Sequence, residues 1–421
     1  MIARPKIDMQ EATRLTRAGR LGEAMALLRG ALASGPSPSR PATSEASPAE
    51  KPGPDRSACV DMVPPSPGTG ETWTSPGPGG PDAMPAGRSQ AREAFHGFLD
   101  RLRRRHAPAG DTVIPGRPDD AGPAPVPGGA RFDECAYTEQ AGRRTYKLYI
   151  PGGRAGQALP LVVMLHGCTQ SPDDFAAGTR MNELAEEQGF LVAYPEQTRS
   201  ANASRCWNWF NPGDQGRDGG EPALIAGITR QIMREHPVDP GQVYVAGLSA
   251  GGAAAAIMGA AYPDLYAAVG VHSGLACGAA SDMVSAFTAM RQGMPSASAG
   301  PRRSGIVPTI VFHGDRDTTV NPVNGDQVLA QAAAGSKLLR TTVSRGSAQG
   351  GIGYTCTVRT DDDGRPMSEH WLLHGAGHAW SGGSPAGSYT EPRGPDASRE
   401  MMRFFQQQPS PKRHKSGSRY Q

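Results

Sequence analysis

The chain has no run of eighteen apolar residues, and its first residues hold no apolar core bounded by a cleavage site. Neither a transmembrane segment nor a signal peptide is expected, which favours the cytoplasm. A net charge of +3 is too small to argue for a nucleic-acid partner. The six cysteines are scattered and lack the close paired spacing of a zinc site. No metal and no cofactor is expected.

Glycine and proline are abundant, at 55 and 39 residues, and unevenly spread. From 34 to 130 the chain is rich in Pro, Gly, Ser and Ala with almost no periodic apolar pattern, so it cannot bury enough surface to offset its ordering entropy. This stretch is read as a mostly disordered linker. Ahead of it, residues 1–33 carry Ala, Leu and Met at helical spacing broken by "RAGR", the pattern of a helical hairpin. Within the linker, 89–106 reads as one amphipathic helix, with Phe95, Phe98 and Leu102 on its apolar side and a basic cluster from Arg101 to Arg105. It either docks on a neighbour or binds a surface. The tail 409–421 is basic and reads as a frayed, disordered end.

The pattern changes near Arg143. "RTYKLYI" alternates like an exposed strand, and "LPLVVMLHG" is the continuous apolar run of a buried parallel strand. A helical stretch, "DDFAAGTRMNELAEEQG", follows, and then "FLVAYPE" as a strand, a Trp-rich loop, "PALIAGITRQIMREH" as a helix and "QVYVAGL" as a strand. "YAAVGVHSG", "VPTIVFHGD" and "EHWLLHGAG" extend the strands, and a helix capped near Asp396 or Ser398 closes the region. Strands alternating with helices imply right-handed crossovers. The fold class is α/β, a three-layer sandwich on a mostly parallel sheet, over 131–408.

Gly247-Leu248-Ser249-Ala250-Gly251 ends one of these strands and runs straight into a helix, giving G-x-S-x-G in strand-turn-helix context. A serine in so tight a turn needs neighbours without side chains, and Gly252 adds further room. A chance small-residue turn is the plain alternative. A nucleophilic serine requires a base and a carboxylate to orient it, in the chain order Ser, acid, His. Asp315 and Asp317 compete for the acid in "IVFHGDRDTTVNP". Asp317 is favoured, because a loop needs a few residues to turn its side chain back over the sheet edge. His378, among glycines after a strand, is the base. His313, His370 and His374 are read as structural. The oxyanion donors are expected to be the backbone N–H of Ala250 and that of Cys168, with Thr169 as the alternative.

"LHGCTQSPDDFAAGTRMNELAEEQGFLVAYPEQ", "CWNWF", "GLSAGGAAAAIMGAAYPDLYAAVGVHSG" and "GAGHAWSGG" together resemble the polyhydroxyalkanoate (PHB) depolymerase-like esterases of the α/β-hydrolase superfamily. The resemblance spans about Phe132 to Phe405. It implies a cofactor-free serine carboxylesterase acting on short-chain polyhydroxyalkanoate or its oligomers; the apolar and basic faces of the 89–106 helix, carried on the linker, add a polyester granule surface as a further partner. Relatives also include feruloyl and acetylxylan esterases, and some are extracellular. A protein that binds polyester granules through its N-terminal helices is the reading from another class.

Trp207, Trp209 and Phe210 lie in a loop at the ligand-binding end of the sheet. They either pack that loop down or, with Trp380, wall an acyl pocket. Cys168 and Cys206 fall in two segments expected near the site, so they are either a disulfide or two buried thiols. Cys277 and Cys356 are a weaker candidate for a second bridge.

Overall fold

The computed structural model describes residues 128–139, 142–154, 156–294, 307–333 and 340–408. The hairpin over 1–33, the linker up to residue 127 with its helix at 89–106, and the tail 409–421 lie outside the described residues.

Strands β1 (Arg131–Glu139) and β2 (Gly142–Ile150) form an antiparallel pair. β3 (Leu159–Leu165), β4 (Leu191–Pro195), β5 (Val238–Leu248), β6 (Ala268–His272) and β7 (Thr309–Gly314) follow. β8 (Arg340–Ser347), β9 (Gly353–Thr360) and β10 (Pro366–Leu373) complete one ten-stranded sheet. Its order is β1-β2-β4-β3-β5-β6-β7-β10-β9-β8. The six strands from β4 across to β10 run parallel. The flanking strands are antiparallel. A small parallel pair, β11 (Trp380–Ser381) and β12 (Thr390–Glu391), stands apart.

Alternation along β3 shows the layering. Leu161, Val163 and Leu165 face one core, while Val162 and Met164 face the other. The first core is closed by helices α3 (Gly220–Glu235), α4 (Ala250–Ala261), α5 (Met283–Gln292) and α6 (Val323–Ala332). The second is closed by α1 (Pro172–Thr179), α2 (Met181–Gln188) and α7 (Ala397–Gln406). The helix-sheet-helix sandwich agrees with the sequence reading.

Several details differ from it. The single helical stretch after β3 is two helices, because Arg180 takes a left-handed φ of 57° between them. β8 and β9 escaped periodicity because every residue of "RTTVSRGS" on β8, and every residue of β9 but Cys356, is at least partly exposed. At the closing helix Asp396 is the cap, accepting from the Arg399 N–H at 3.0 Å. Ser398 turns inward, donating to the Thr179 carbonyl and accepting from the Trp380 indole. Among the described residues no helix is long and apolar enough to cross a membrane.

Candidate active site

β5 stops at Leu248, α4 starts at Ala250, and Ser249 stands between them with φ 59° and ψ −119°. A non-glycine residue at this φ costs on the order of 1–3 kcal/mol, so the surrounding packing must impose it. The glycines make that packing possible. A side-chain carbon on Gly247 would overlap the Gly251 carbonyl, and one on Gly251 would overlap the Leu165 carbonyl of β3. At Gly252 it would stand 3.1 Å from both the Gly247 and His272 carbonyl oxygens.

β7 and β10 pair in parallel, which brings the loops after them side by side. Asp317 lies on the first loop and His378 on the second. Asp317 Oδ2 accepts from His378 Nδ1 at 2.7 Å, and both side chains are buried. The other carboxylate oxygen accepts from the N–H groups of Thr319 and Val320 at 2.8 and 2.9 Å. Burial opposes ionisation of Asp317, but its electrostatic attraction to the His378 ring and hydrogen bonds from His313 and His378 overcome it and hold the carboxyl below the usual range. With Nδ1 held as donor, His378 Nε2 is left as the basic nitrogen.

Asp315 takes another role. It accepts from the Gly375 N–H at 2.7 Å and lies 3.1 Å from His374 Nδ1. His374 Nε2 in turn meets Thr355 Oγ1 at 2.9 Å, so this pair braces the half-exposed loop after β10.

Ser249, Ala250 and His378 line one open cavity of about 550 Å³ together with Cys168, Trp209 and Tyr389. Leu248, Leu275, Met290 and Val320 make its wall largely apolar. Trp209 is thus the one expected aromatic that reaches the cavity lining. Trp207 is fully buried and donates its indole N–H to the His166 carbonyl. Phe210 packs edge-on against Trp209, and Trp380 stacks on His272 and meets Phe175 edge-on. These three aromatics hold the loops rather than line the cavity.

The loop after β3 is fixed by side chains that motif reading passed over. Gln170 Oε1 accepts from the Gly167 N–H, and its amide nitrogen donates to Asp174 and Ser388. His166 Nδ1 donates to the Gly167 carbonyl, and its Nε2 accepts from the Gln197 N–H. Burial keeps this imidazole neutral, pulling it down to about 4. The Thr169 N–H donates to the Ser204 carbonyl at 2.7 Å. The Thr169 N–H is thus already engaged, whereas no hydrogen bond engages the Cys168 N–H among the described residues.

Cys168 and Cys206 form a disulfide that ties this loop to the aromatic loop. Glu221 secures the aromatic loop further, accepting from the Asn208 N–H and amide and from Gln197. Burial, then Asp214, push its carboxyl up to about 7. The second bridge is not made. Cys277 is held by Gln331 through backbone hydrogen bonds, whereas Cys356 is a buried thiol on β9. Among the described residues no cluster of His, Cys, Asp and Glu is suited to a metal ion.

Tyr389 is a site residue with no signal in the sequence. It lines the cavity eleven positions after His378, with φ 53°, and its hydroxyl lies 3.3 Å from Thr169 Oγ1. Leu275 and Met290 were equally hidden, since only tertiary packing brings them to the cavity.

Residues 144–350 match the family described as esterase PHB depolymerase. A poly(3-hydroxyalkanoate) depolymerase C of Paucimonas lemoignei is 34% identical over 240 residues, 55% of this chain and 57% of that protein. A poly(3-hydroxybutyrate) depolymerase of Ralstonia pickettii is 28% identical over 240 residues, 53% and 48%. A feruloyl esterase B of Thermothelomyces thermophilus is 30% identical over 188 residues, 41% and 64%. This chain spans about half the length of the two depolymerases it matches.

Proposed function

We propose that this chain is a PHB depolymerase-like esterase of the family that residues 144–350 match, and a serine carboxylesterase whose substrate is a short-chain polyhydroxyalkanoate or its oligomers. One observation carries the reading. A strained Ser249 and a carboxylate-anchored His378 open onto the same apolar cavity.

In the proposed reaction the ester carbonyl enters that cavity beside Ser249. His378 Nε2 takes the hydroxyl proton as Ser249 Oγ attacks, and Asp317 stabilises the imidazolium through Nδ1–H. The oxyanion is met by the N–H groups of Ala250 and Cys168, which the disulfide and the Gln170 bond hold in place. His378 then returns the proton to the departing alcohol, leaving an acyl group on Ser249. Water, deprotonated by the same imidazole, attacks the acyl carbon and frees the serine. No metal or cofactor enters any step.

Leu275, Met290, Val320 and Trp209 support an aliphatic acyl or hydroxyacyl chain, which buries apolar area without demanding buried polar partners. The relative named as a feruloyl esterase supports a second reading, in which Trp209 and Tyr389 flank an aromatic acyl group. Release of soluble acid from amorphous poly(3-hydroxybutyrate) and its oligomers, set against p-nitrophenyl and feruloyl esters, separates the two. Preference for the hydroxybutyrate substrates is expected. Preference for feruloyl esters contradicts the polyester reading.

We also propose that 131–408 is a self-contained esterase domain and that the segment ahead of it engages a polyester granule surface. A chain beginning near Gly128 is then expected to hydrolyse small esters as the full chain does, with weaker pelleting on granules. Equal pelleting of the two chains contradicts the granule role.

A further inference from the structure

The wall of the cavity beside Ser249 holds few polar side chains. Outside Ser249 and His378 they are Gln170, Thr319 and Tyr389. Gln170 is engaged at both ends of its amide by Gly167, Asp174 and Ser388, and the Tyr389 hydroxyl lies 3.3 Å from Thr169 Oγ1. The Thr319 hydroxyl differs. Thr319 is only 5% exposed, yet its Oγ1 makes no hydrogen bond among the described residues and is not one of the polar atoms sealed from solvent. A buried residue on the cavity wall whose unpartnered oxygen still reaches open space presents that oxygen to the cavity.

The acid loop fixes where this hydroxyl stands. Asp317 Oδ1 accepts from the N–H groups of Thr319 and Val320, and the Val320 carbonyl lies 2.9 Å from His313 Nε2. One residue further on, the Asn321 N–H donates to the Met290 carbonyl at 2.7 Å. Thr319, Val320 and Met290 thus form one braced section of the wall, anchored on the carboxylate that also meets His378. A group held in this way gives up little freedom when a ligand reaches it.

An acyl chain filling the cavity takes the Thr319 hydroxyl out of water. A plain alkyl chain returns no hydrogen bond, whereas a chain with an oxygen at that point returns one. In a 3-hydroxyacyl ester such an oxygen sits on the β-carbon of the acyl unit, as a free hydroxyl or as the ester oxygen to the preceding unit. The ester oxygen can only accept, and the threonine O–H can donate to either form. We propose that Thr319 selects acyl chains that carry an oxygen on the β-carbon over plain alkanoyl chains of the same length. The inference rests on the serine carboxylesterase reading and adds to it the residue that recognises the hydroxyacyl class.

The experiment compares methyl 3-hydroxybutyrate with methyl butyrate on the full chain, following acid release at constant pH. Thr319→Val keeps the side-chain shape and the backbone N–H but lacks the hydroxyl. In it the kcat/KM ratio of hydroxybutyrate to butyrate is expected to fall about tenfold, and in Thr319→Ala likewise. Thr319→Ser, which keeps the hydroxyl, is expected to hold the native ratio within about twofold. An unchanged ratio in Thr319→Val and Thr319→Ala, including an equal loss on both esters, overturns the proposal, because a merely structural threonine cannot tell the two esters apart. Binding supplies a readout without turnover. In the Ser249→Ala chain, NMR titration with the same two esters is expected to show the affinity ratio shifting about tenfold toward methyl butyrate when Thr319→Val is added. An unshifted ratio overturns the proposal. If the native chain hydrolyses neither ester, the esterase reading fails, and the binding ratio still decides whether Thr319 recognises the β-oxygen.

Discussion

Ser249 and His272 are joined through their backbones, the Ser249 N–H donating to the His272 carbonyl at 2.9 Å. The His272 ring meanwhile accepts from the Ser381 N–H through Nε2 at 3.0 Å and stacks between Phe312 and Trp380. One residue at the end of β6 therefore braces the serine turn and the segment just after His378. That double duty requires a neutral imidazole, because Nε2 must keep its lone pair.

His272 and His166 give the fold an acid-sensitive term. Burial pulls them to about 3 and about 4, below the ordinary 6.5, so at intermediate pH the unfolded chain binds protons that the folded chain refuses. Their stabilisation is complete above 6.5 and is lost as pH falls, about 2 kcal/mol per histidine between pH 7 and pH 5. Glu221, raised to about 7, acts in the opposite sense by a similar amount over that interval. The sum from these three groups is a loss of about 2 kcal/mol, which His272→Gln should cancel. Urea unfolding at the two pH values measures it, and an equal loss in both chains contradicts the assignment.

Asp317→Asn is expected to lower kcat by on the order of ten-thousandfold, since an amide facing Nδ1 favours the wrong imidazole tautomer. Asp315→Asn touches only the His374 brace and should cost less than about tenfold. Steady-state kinetics on a p-nitrophenyl ester ranks the two, and the reverse order would move the acid to Asp315.

Replacing Cys168 and Cys206 together by serine opens a loop of 38 residues. A stability loss of about 4 kcal/mol follows from loop entropy alone. A fall in kcat should accompany it, as the Cys168 N–H loses its anchor. Denaturant midpoints with and without reductant test this; unchanged midpoints would show that the bond does not form in the native chain.

The two tryptophans of the aromatic loop should separate cleanly. Trp207→Ala empties a fully buried site and is expected to destabilise the fold by about 3–5 kcal/mol. Trp209→Ala alters the cavity wall, so it should change the preference among acyl chain lengths with a smaller effect on stability. Melting curves and a chain-length series distinguish them. Unaltered selectivity in Trp209→Ala would take that residue out of the acyl site.

Much of this was legible in the sequence because local chemistry enforced it. Gly247, Gly251 and Gly252 are glycines for steric reasons that the turn around Ser249 alone dictates. The apolar run at Leu159–Leu165 has few fates other than a buried strand. Tyr389, His272 and Gln170 were not legible, because their roles depend on partners brought close only by the folded sheet. Trp207, Phe210 and Trp380 were ambiguous for a related reason. Composition says that aromatics near a site will be buried, and only packing says against what.

Brief exposure to a fluorophosphonate, followed by peptide mass spectrometry, tests the central claim most directly. The account predicts one adduct on Ser249, loss of esterase activity in proportion to labelling, and no adduct in Ser249→Ala. Labelling at another residue, or a Ser249→Ala chain that keeps more than a small fraction of native turnover, would contradict it.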